Sequence, residues 1–336
     1  MERPVRLGII GTGLAARDLH WPALKELRDQ FEIVALCNRT RSKAEAFASL
    51  VGGDPRITTD YPELLSWPDV DAVDIALPIV MNAAVTIDAL RAGKHVFLEK
   101  PIAGDLAGGK AVLSAAEEYP NRVLLVAENV RYEERFRQAR RLLDEGLIGR
   151  PMMLTVDVLS PLGVDNPYAA TSWRVNPEHL GGYISDGGVH AVAALQVLGG
   201  RIDGVQGMIS SFRPEQDPTD TLLSNLHFTA GAVGHLTYSV GVAREDPSIF
   251  RVYGTGGSLE VYDQHLVVTT DSGARQIDLS SAPNPYTLEL ADFYRAITTG
   301  TSPVVSPMDA LTDLAVIDAA FRSSRGSVLS IPLLQP

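Results

Sequence analysis

Val5-Arg6-Leu7-Gly8-Ile9-Ile10-Gly11-Thr12-Gly13-Leu14-Ala15-Ala16 is the stretch that decides the fold. Its apolar run reads as a buried strand. The run breaks at Gly11-Thr12-Gly13 and resumes with the helix formers Leu14, Ala15 and Ala16. Strand, glycine turn and helix thus follow one another in the pattern G-x-G-x-x-A. Gly11 permits a tight turn, Gly13 lets backbone approach a pyrophosphate, and Ala16 lets the helix pack closely on the strand. The helix N-terminus adds unpaired N–H groups and the positive end of a dipole. Gly11, Thr12, Gly13, Leu14 and Ala15 are therefore candidate cofactor contacts. Taken alone, the pattern is also compatible with a buried strand and an incidental turn.

The next elements favour the first reading. A helical segment, Ala15 to Arg28, is expected to be broken in two by Pro22. A second buried strand, Phe31 to Cys37, ends at Asn38-Arg39-Thr40-Arg41. In a dinucleotide-binding unit an acid at this place binds the ribose 2′-hydroxyl, whereas a nearby arginine accepts a 2′-phosphate. The acid is absent here. Asn38 takes its place, and Arg39, Arg41 and Lys43 follow. The pattern predicts NADP(H) in preference to NAD(H), against the plainer alternative of a solvated basic loop.

Further along, Ser42 with Glu45 has the spacing of a capping box for a helix to Val51. Strands at Ala72–Leu77, Lys94–Leu98 and Val123–Ala127 then alternate with helices at Val80–Ala92, Asp105–Glu118 and Glu133–Glu145. Such alternation means a parallel sheet covered on both faces, with ligands off the carboxyl ends of its strands. Gly11, Asn38, Pro78, Lys100 and Asn129 all follow strand ends, so they share that edge. Beyond about residue 150 the texture changes. Strands at 152–159, 204–212, 221–228, 232–240, 250–253, 258–261, 266–270 and 276–279 follow with few helices between, several of them separated by short glycine turns, the mark of a mostly antiparallel sheet. Two helices, 286–299 and 307–325, and a short strand, 327–331, close the chain. The expected fold class is α/β: a doubly wound parallel sheet in residues 1–127, then an α+β domain with an open, mostly antiparallel sheet in 128–336, its closing helices able to pack back on the first domain.

Composition narrows the function. The 336 residues are 45% hydrophobic, ample for a core, and carry a net charge of −12, which argues against nucleic-acid binding. Cys37 is the single cysteine, so neither an internal disulfide nor a cysteine metal cluster is expected. His20, His95, His179, His227, His235 and His265 are scattered without ligand spacing, and no metal site is expected. His95, inside a strand, reads as structural. No apolar run reaches the ~18 residues of a membrane helix. A few residues precede the first strand, and no signal peptide is expected. A cytoplasmic location is the expectation.

Two stretches carry chemistry. Glu99-Lys100-Pro101 ends a strand on the cofactor edge, and Pro101 stops the ladder there. A lysine held beside a nicotinamide can donate a hydrogen bond to a hydroxyl becoming a carbonyl; a solvated surface lysine is the alternative. The second stretch, Trp173 to His190, has four glycines within eight residues, Gly181 to Gly188, which implies backbone passing close to something. It opens an apolar helix at Ala191 to Leu198. Asp186 and His190 stand four apart across its start, a spacing that can bring them to one side. An imidazole can take a hydroxyl proton near neutral pH. An Asp and a His at a helix start also serve as a simple cap, and on spacing alone both readings stand.

Together the G-x-G-x-x-A start, Ala92-Gly93-Lys94-His95-Val96-Phe97-Leu98-Glu99-Lys100-Pro101, Glu128-Asn129-Val130-Arg131-Tyr132, Gly146-Leu147-Ile148-Gly149-Arg150-Pro151 and Gly181 to His190 resemble the Gfo/Idh/MocA oxidoreductases, in the right order over nearly the whole chain. The resemblance implies hydride transfer between NAD(P) and a sugar, polyol or related alcohol. It implies that Lys100 bonds the reacting hydroxyl, that Asp186 binds substrate and that His190 is the general acid/base. It places Asn129 near the nicotinamide, and Leu77, Pro78, Asn82 and Glu99 with the cofactor. It makes Trp173 and Arg174 a W-R element leading into the site, with Tyr168 a further substrate candidate, and it implies a cis peptide before Pro101. It also implies a homodimer or homotetramer through the C-terminal sheet. Three departures matter. Ala193 replaces an Asp that relatives often carry three residues after the histidine, which weakens an inositol assignment. Leu77-Pro78-Ile79-Val80-Met81-Asn82 replaces T-P-N-x-x-H. Asn38 replaces the acid of the second strand. Within the resemblance, a cofactor-retaining glycosidase and a non-catalytic dinucleotide sensor are the alternatives.

Overall fold

The computed structural model describes residues 3–162, 166–169, 171–175, 177–213, 219–324 and 329–330. The chain divides into two compact units, Met1–Asn129 with Asn284–Leu311 and Val130–Pro283 with Thr312–Pro336.

The first unit alternates strands and helices: β1 (Val5–Ile10), α1 (Trp21–Glu26), β2 (Phe31–Cys37), α2 (Arg41–Val51), β3 (Arg56–Thr58), α3 (Tyr61–Ser66), β4 (Ala72–Ile75), α4 (Ile79–Arg91), β5 (His95–Glu99), α5 (Leu106–Glu118) and β6 (Leu124–Ala127). The six strands form one parallel sheet in the order β3-β2-β1-β4-β5-β6. Leu7, Ile9, Phe97 and Leu125 are buried, as apolar strands covered on both faces must be. Asp105 caps α5 by accepting the Gly108 N–H at 2.7 Å.

Two local expectations are corrected. Pro22 does not break the first helix. The chain is helical from Leu14 to Glu26, and residues Ala16–His20 widen into a π-turn in which Trp21 N–H bonds Ala16 O, five residues back. Pro22 sits in the first turn of α1, where its missing N–H costs little. Ser42 is not the cap of α2. That helix starts one residue earlier, with Thr40 at the N-cap, and Glu45 instead pairs with Arg41 at 3.0 Å.

The second unit opens with α6 (Glu134–Asp144), β7 (Pro151–Leu159), the short α7 (Ser172–Val175) and α8 (Gly182–Gly199). Then come β8 (Ile202–Ser210), β9 (Thr221–Phe228), β10 (Val233–Ser239), β11 (Phe250–Gly254), β12 (Gly257–Val261), β13 (His265–Thr270) and β14 (Gly273–Asp278). The chain returns to the first unit with α9 (Pro285–Thr299); α10 (Pro307–Ser323) begins in the first unit and ends in the second, and β15 (Leu329–Ser330) follows. The second sheet runs β14-β13-β12-β11-β7-β10-β9-β8-β15. Its neighbours are antiparallel except β7 with β10, which run parallel. From α9, Phe293 stacks on Phe31 at 6.3 Å and meets Phe97 at 5.6 Å, joining the first unit's core.

Candidate active site

At the carboxyl edge of the parallel sheet, Gly11 adopts φ +100°, and a Cβ there would lie 2.2 Å from Ala76 O. Only glycine fits such a turn. At Gly13 a Cβ would meet nothing within 4 Å, so the space beside the turn is open. The Thr12 hydroxyl is buried and has no hydrogen-bond partner among the described residues. Arg17 N–H closes the first helical turn on Gly13 O at 3.0 Å, which leaves the preceding N–H groups directed outward. These residues fit a dinucleotide pyrophosphate: a cradle without side chains, an orphan hydroxyl and a helix N-terminus.

After β2, Asn38 donates to Thr40 O at 3.0 Å. Arg39 is exposed and has no ion-pair partner among the described residues. Arg41 is shared with Glu45. Leu77 and Pro78, after β4, and Asn129, after β6, are half-buried at the same edge. Asn82, counted with the cofactor from its place after β4, is wholly buried. Its side-chain amide donates to Glu99 O at 3.0 Å and to Pro101 O at 2.8 Å. It braces the turn that carries Lys100. Lys100 is half-buried, and the peptide before Pro101 is cis.

The structure adds a residue that the motifs passed over. His20, read as one of several scattered histidines, lies wholly buried between Asp74 and Glu99. Nothing local marks it, because its partners are 54 and 79 residues away. His95 is indeed structural: Nδ1 accepts the Val123 N–H at 2.9 Å. Burial, helped by Arg122, pushes its pKa down to about 4. Cys37 is a buried core thiol whose pKa burial pushes up to about 11.

In the second unit, α8 begins at Gly182, well before Ala191, so Asp186 and His190 are not at a helix start. Both lie inside the helix, one turn apart on one side. A cap is thereby ruled out as the reason for the pair. The glycines concealed this extent, and they have a packing role. A Cβ on Gly187 would lie 2.0 Å from the Tyr238 hydroxyl, and one on Gly181 2.8 Å from the Phe321 ring. Helix propensity at Gly187 is sacrificed so that Tyr238 of β10 can lie against α8.

Asp186 is buried and accepts from Arg174 Nε at 2.7 Å. Arg174 is itself stacked, its guanidinium carbon 3.9 Å from the Trp173 ring centre and 5.2 Å from that of Tyr168. A further bond reaches Thr171 Oγ1 at 3.3 Å. Trp173 in turn approaches the His179 ring at 5.8 Å. The W-R element thus holds a carboxylate, and Tyr168 belongs to the same stack. His190 is half-buried. Among the described residues, no group of His, Cys, Asp and Glu could hold a metal ion.

A family model described as "Oxidoreductase family, NAD-binding Rossmann fold" matches residues 5–127, and one described as "GFO/IDH/MocA C-terminal domain" matches 136–260. The chain is similar to an oxidoreductase from Thermotoga maritima, with 37% identity, a TM-score of 0.93 and coverage of 99% of this chain and 100% of that one. It is 30% identical to a 1,5-anhydro-D-fructose reductase of Ensifer adhaerens over 94% of this chain and 96% of that protein. A levoglucosan dehydrogenase solved with NADH and levoglucosan is 25% identical, with a TM-score of 0.89 and coverage of 98% and 100%.

Proposed function

Because the chain belongs to the Gfo/Idh/MocA oxidoreductase family, we propose that it oxidises a secondary alcohol of a sugar or related polyol, or reduces the matching carbonyl. The observation that carries this reading is the pair of equipped regions: a cradle fit for a dinucleotide beside Lys100, and a helix presenting Asp186 and His190 on one side. Relatives named for an anhydro-sugar reductase and for levoglucosan favour a cyclic sugar as substrate.

The bound dinucleotide supplies the hydride acceptor, or the donor in reverse. Gly11, Thr12, Gly13, Leu14 and Ala15 would hold its pyrophosphate, Asn38 and Arg39 its adenosine ribose, and Leu77, Pro78, Glu99 and Asn129 the neighbouring edge. Lys100 donates a hydrogen bond to the reacting oxygen as it gains negative charge. His190 takes the hydroxyl proton in oxidation and returns it in reduction. Asp186, held by Arg174, accepts from a substrate hydroxyl, and Trp173 and Tyr168 offer apolar faces to a sugar ring. NADP(H) is favoured over NAD(H): Arg39 is exposed and Asn38, not an acid, follows β2, although Arg41 is already engaged by Glu45. A self-association through the second sheet is also proposed. Register puts Tyr253, Met153, Val233, Leu223 and Met208 on one face, and all are exposed. These exposed apolar side chains, set among polar neighbours such as His235, Thr237 and Asn225, would meet a second copy of the chain.

Nicotinamide absorbance against a panel of sugars, anhydro-sugars and polyols, with NADP⁺ and with NAD⁺, tests the reading. Turnover on one sugar class with NADP⁺ is expected. Binding of both reduced cofactors with silence across the panel would refute the dehydrogenase, and tighter binding of NADH than of NADPH would refute the cofactor preference. Light scattering checks the assembly, with a monomer as the contrary result.

A further inference from the structure

The first unit buries a cluster of charge beneath its carboxyl edge. His20 Nδ1 lies 2.8 Å and 3.0 Å from the two oxygens of Asp74, and Nε2 lies 3.0 Å from Glu99 Oε1. Both ring nitrogens face carboxylates, and both contacts are hydrogen bonds when both nitrogens carry protons. Burial by itself pushes the imidazole pKa down, but Asp74 and Glu99 together outweigh it and hold the ring charged. Glu289 of α9 is wholly buried in the same cluster, with no hydrogen-bond partner for either oxygen among the described residues. Burial above all, opposed by His20 and reinforced by Glu99, Glu128 and Asp74, holds it in the neutral form.

The partners of His20 come from separate elements. Asp74 is on β4, Glu99 ends β5, and His20 closes the π-turn that follows the glycine loop. One ring therefore ties the dinucleotide helix to two strands. Asn82 of α4 completes the hold, since its two bonds reach the carbonyl oxygens on either side of Lys100. Buried ion pairs contribute little net stability compared with apolar groups of the same shape. What such a bridge supplies is a defined geometry.

We propose that His20 and Asn82 are positioning residues for Lys100, fixing the Glu99–Pro101 turn relative to the helix that follows the glycine loop. The role rests on Lys100 being the donor to the reacting oxygen, as proposed above. Displacement of a reacting group by about 1 Å can cost about 100-fold in rate.

Removing the imidazolium alone strands two buried carboxylates and risks the fold. The pair His20→Gln with Asp74→Asn avoids this, because it keeps the net charge of the bridge and leaves Glu99 intact. Asn82→Ser is a second, charge-free variant. Each is expected to bind NADH within about threefold of wild type, and to lose about 10- to 100-fold in kcat with the sugar KM little changed. A readout free of turnover is NMR of protein carrying [ε-¹³C]lysine, in which the five lysines include Lys100, identified through Lys100→Arg. Addition of NADH displaces the Lys100 signal in wild type, and this response should be lost in both variants while the other four lysine signals stay put. A wild-type kcat and a wild-type Lys100 response in both variants would overturn the proposal. So would a large loss of NADH affinity with kcat unchanged, which would assign the two residues to cofactor binding. The functional reading fails differently: Lys100→Ala would turn the sugar over at the wild-type rate, or wild type would be silent on every sugar. In the silent case the lysine signal still decides the positioning role.

Discussion

The carboxyl edge of the parallel sheet and the face of α8 both carry candidate chemistry, and they secure it by opposite means. At the sheet edge the candidate group is Lys100, and it is fixed through backbone. Asn82 holds the carbonyls on either side of it, and the buried His20 bridge holds its neighbour Glu99. On α8 the groups are an anion and an imidazole, fixed by the helix itself. Asp186 is braced by a side chain, Arg174, itself stacked on Trp173. A sheet edge can hold a universal cofactor with parts that need never change. A carboxylate braced by an arginine from a short neighbouring helix can be retuned by altering a few residues, which suits selection among substrates.

The largest expected effect is at the second region. His190→Ala should lower kcat by about 100- to 10,000-fold, the usual worth of a positioned acid/base, while NADPH binding stays within a few-fold. Stopped-flow turnover alongside fluorescence titration checks both halves. Unchanged turnover would remove His190 from the chemistry and leave the sheet edge as the active region.

Next comes the brace. Arg174→Met leaves the buried Asp186 without its charged partner, and kcat/KM for the sugar should fall by about 10- to 100-fold. Arg174→Lys should rescue little, because an ammonium neither stacks nor forks as a guanidinium does. If Arg174→Met kept wild-type kcat/KM, the arginine would only support the loop, and the contrast drawn above would collapse to one catalytic helix.

The smallest effect concerns stability at the sheet. His95 is held neutral in the fold with a pKa of about 4, against an ordinary histidine value near 6.5. Its folded value is depressed, so the unfolded chain binds the extra proton between those limits. The stability it contributes is full above about pH 6.5 and is lost as pH falls toward 4, with an upper bound of about 3 kcal/mol. His95→Gln, whose side-chain oxygen can still accept the Val123 N–H, should therefore show a flatter melting temperature between pH 7 and pH 5. Equal slopes in variant and wild type would contradict this.

Most of the architecture was legible because it rests on local patterns. The apolar runs and glycine turns gave five of the six parallel strands, missing only the three-residue edge strand β3, and the glycine-punctuated second half gave the open sheet. The family motifs marked Lys100, Asp186 and His190 as candidates. Legibility failed where a residue's neighbours are distant in sequence. Gly187 and Gly188 read as lying ahead of a helix that opens at Ala191, yet they are inside it, and the space they leave is filled by Tyr238 and Ile317. Pro22 read as a break, yet the chain is helical on both sides of it, with a π-turn just before α1. Asn82 read as a cofactor contact, and tertiary contacts gave its amide to the lysine turn.

The sequence by itself determined the strand–turn–helix start, the order of the elements and the identity of the chemical groups, since these follow from periodicity and from what each residue can do locally. Only the tertiary structure decided that His20 is an ion held between Asp74 and Glu99, that Asp186 is braced by Arg174, and that α8 runs unbroken through its glycines. Each of these depends on what burial places beside a group. A buried charge or a missing side chain acquires its meaning from partners brought near by the fold, and no local pattern records them.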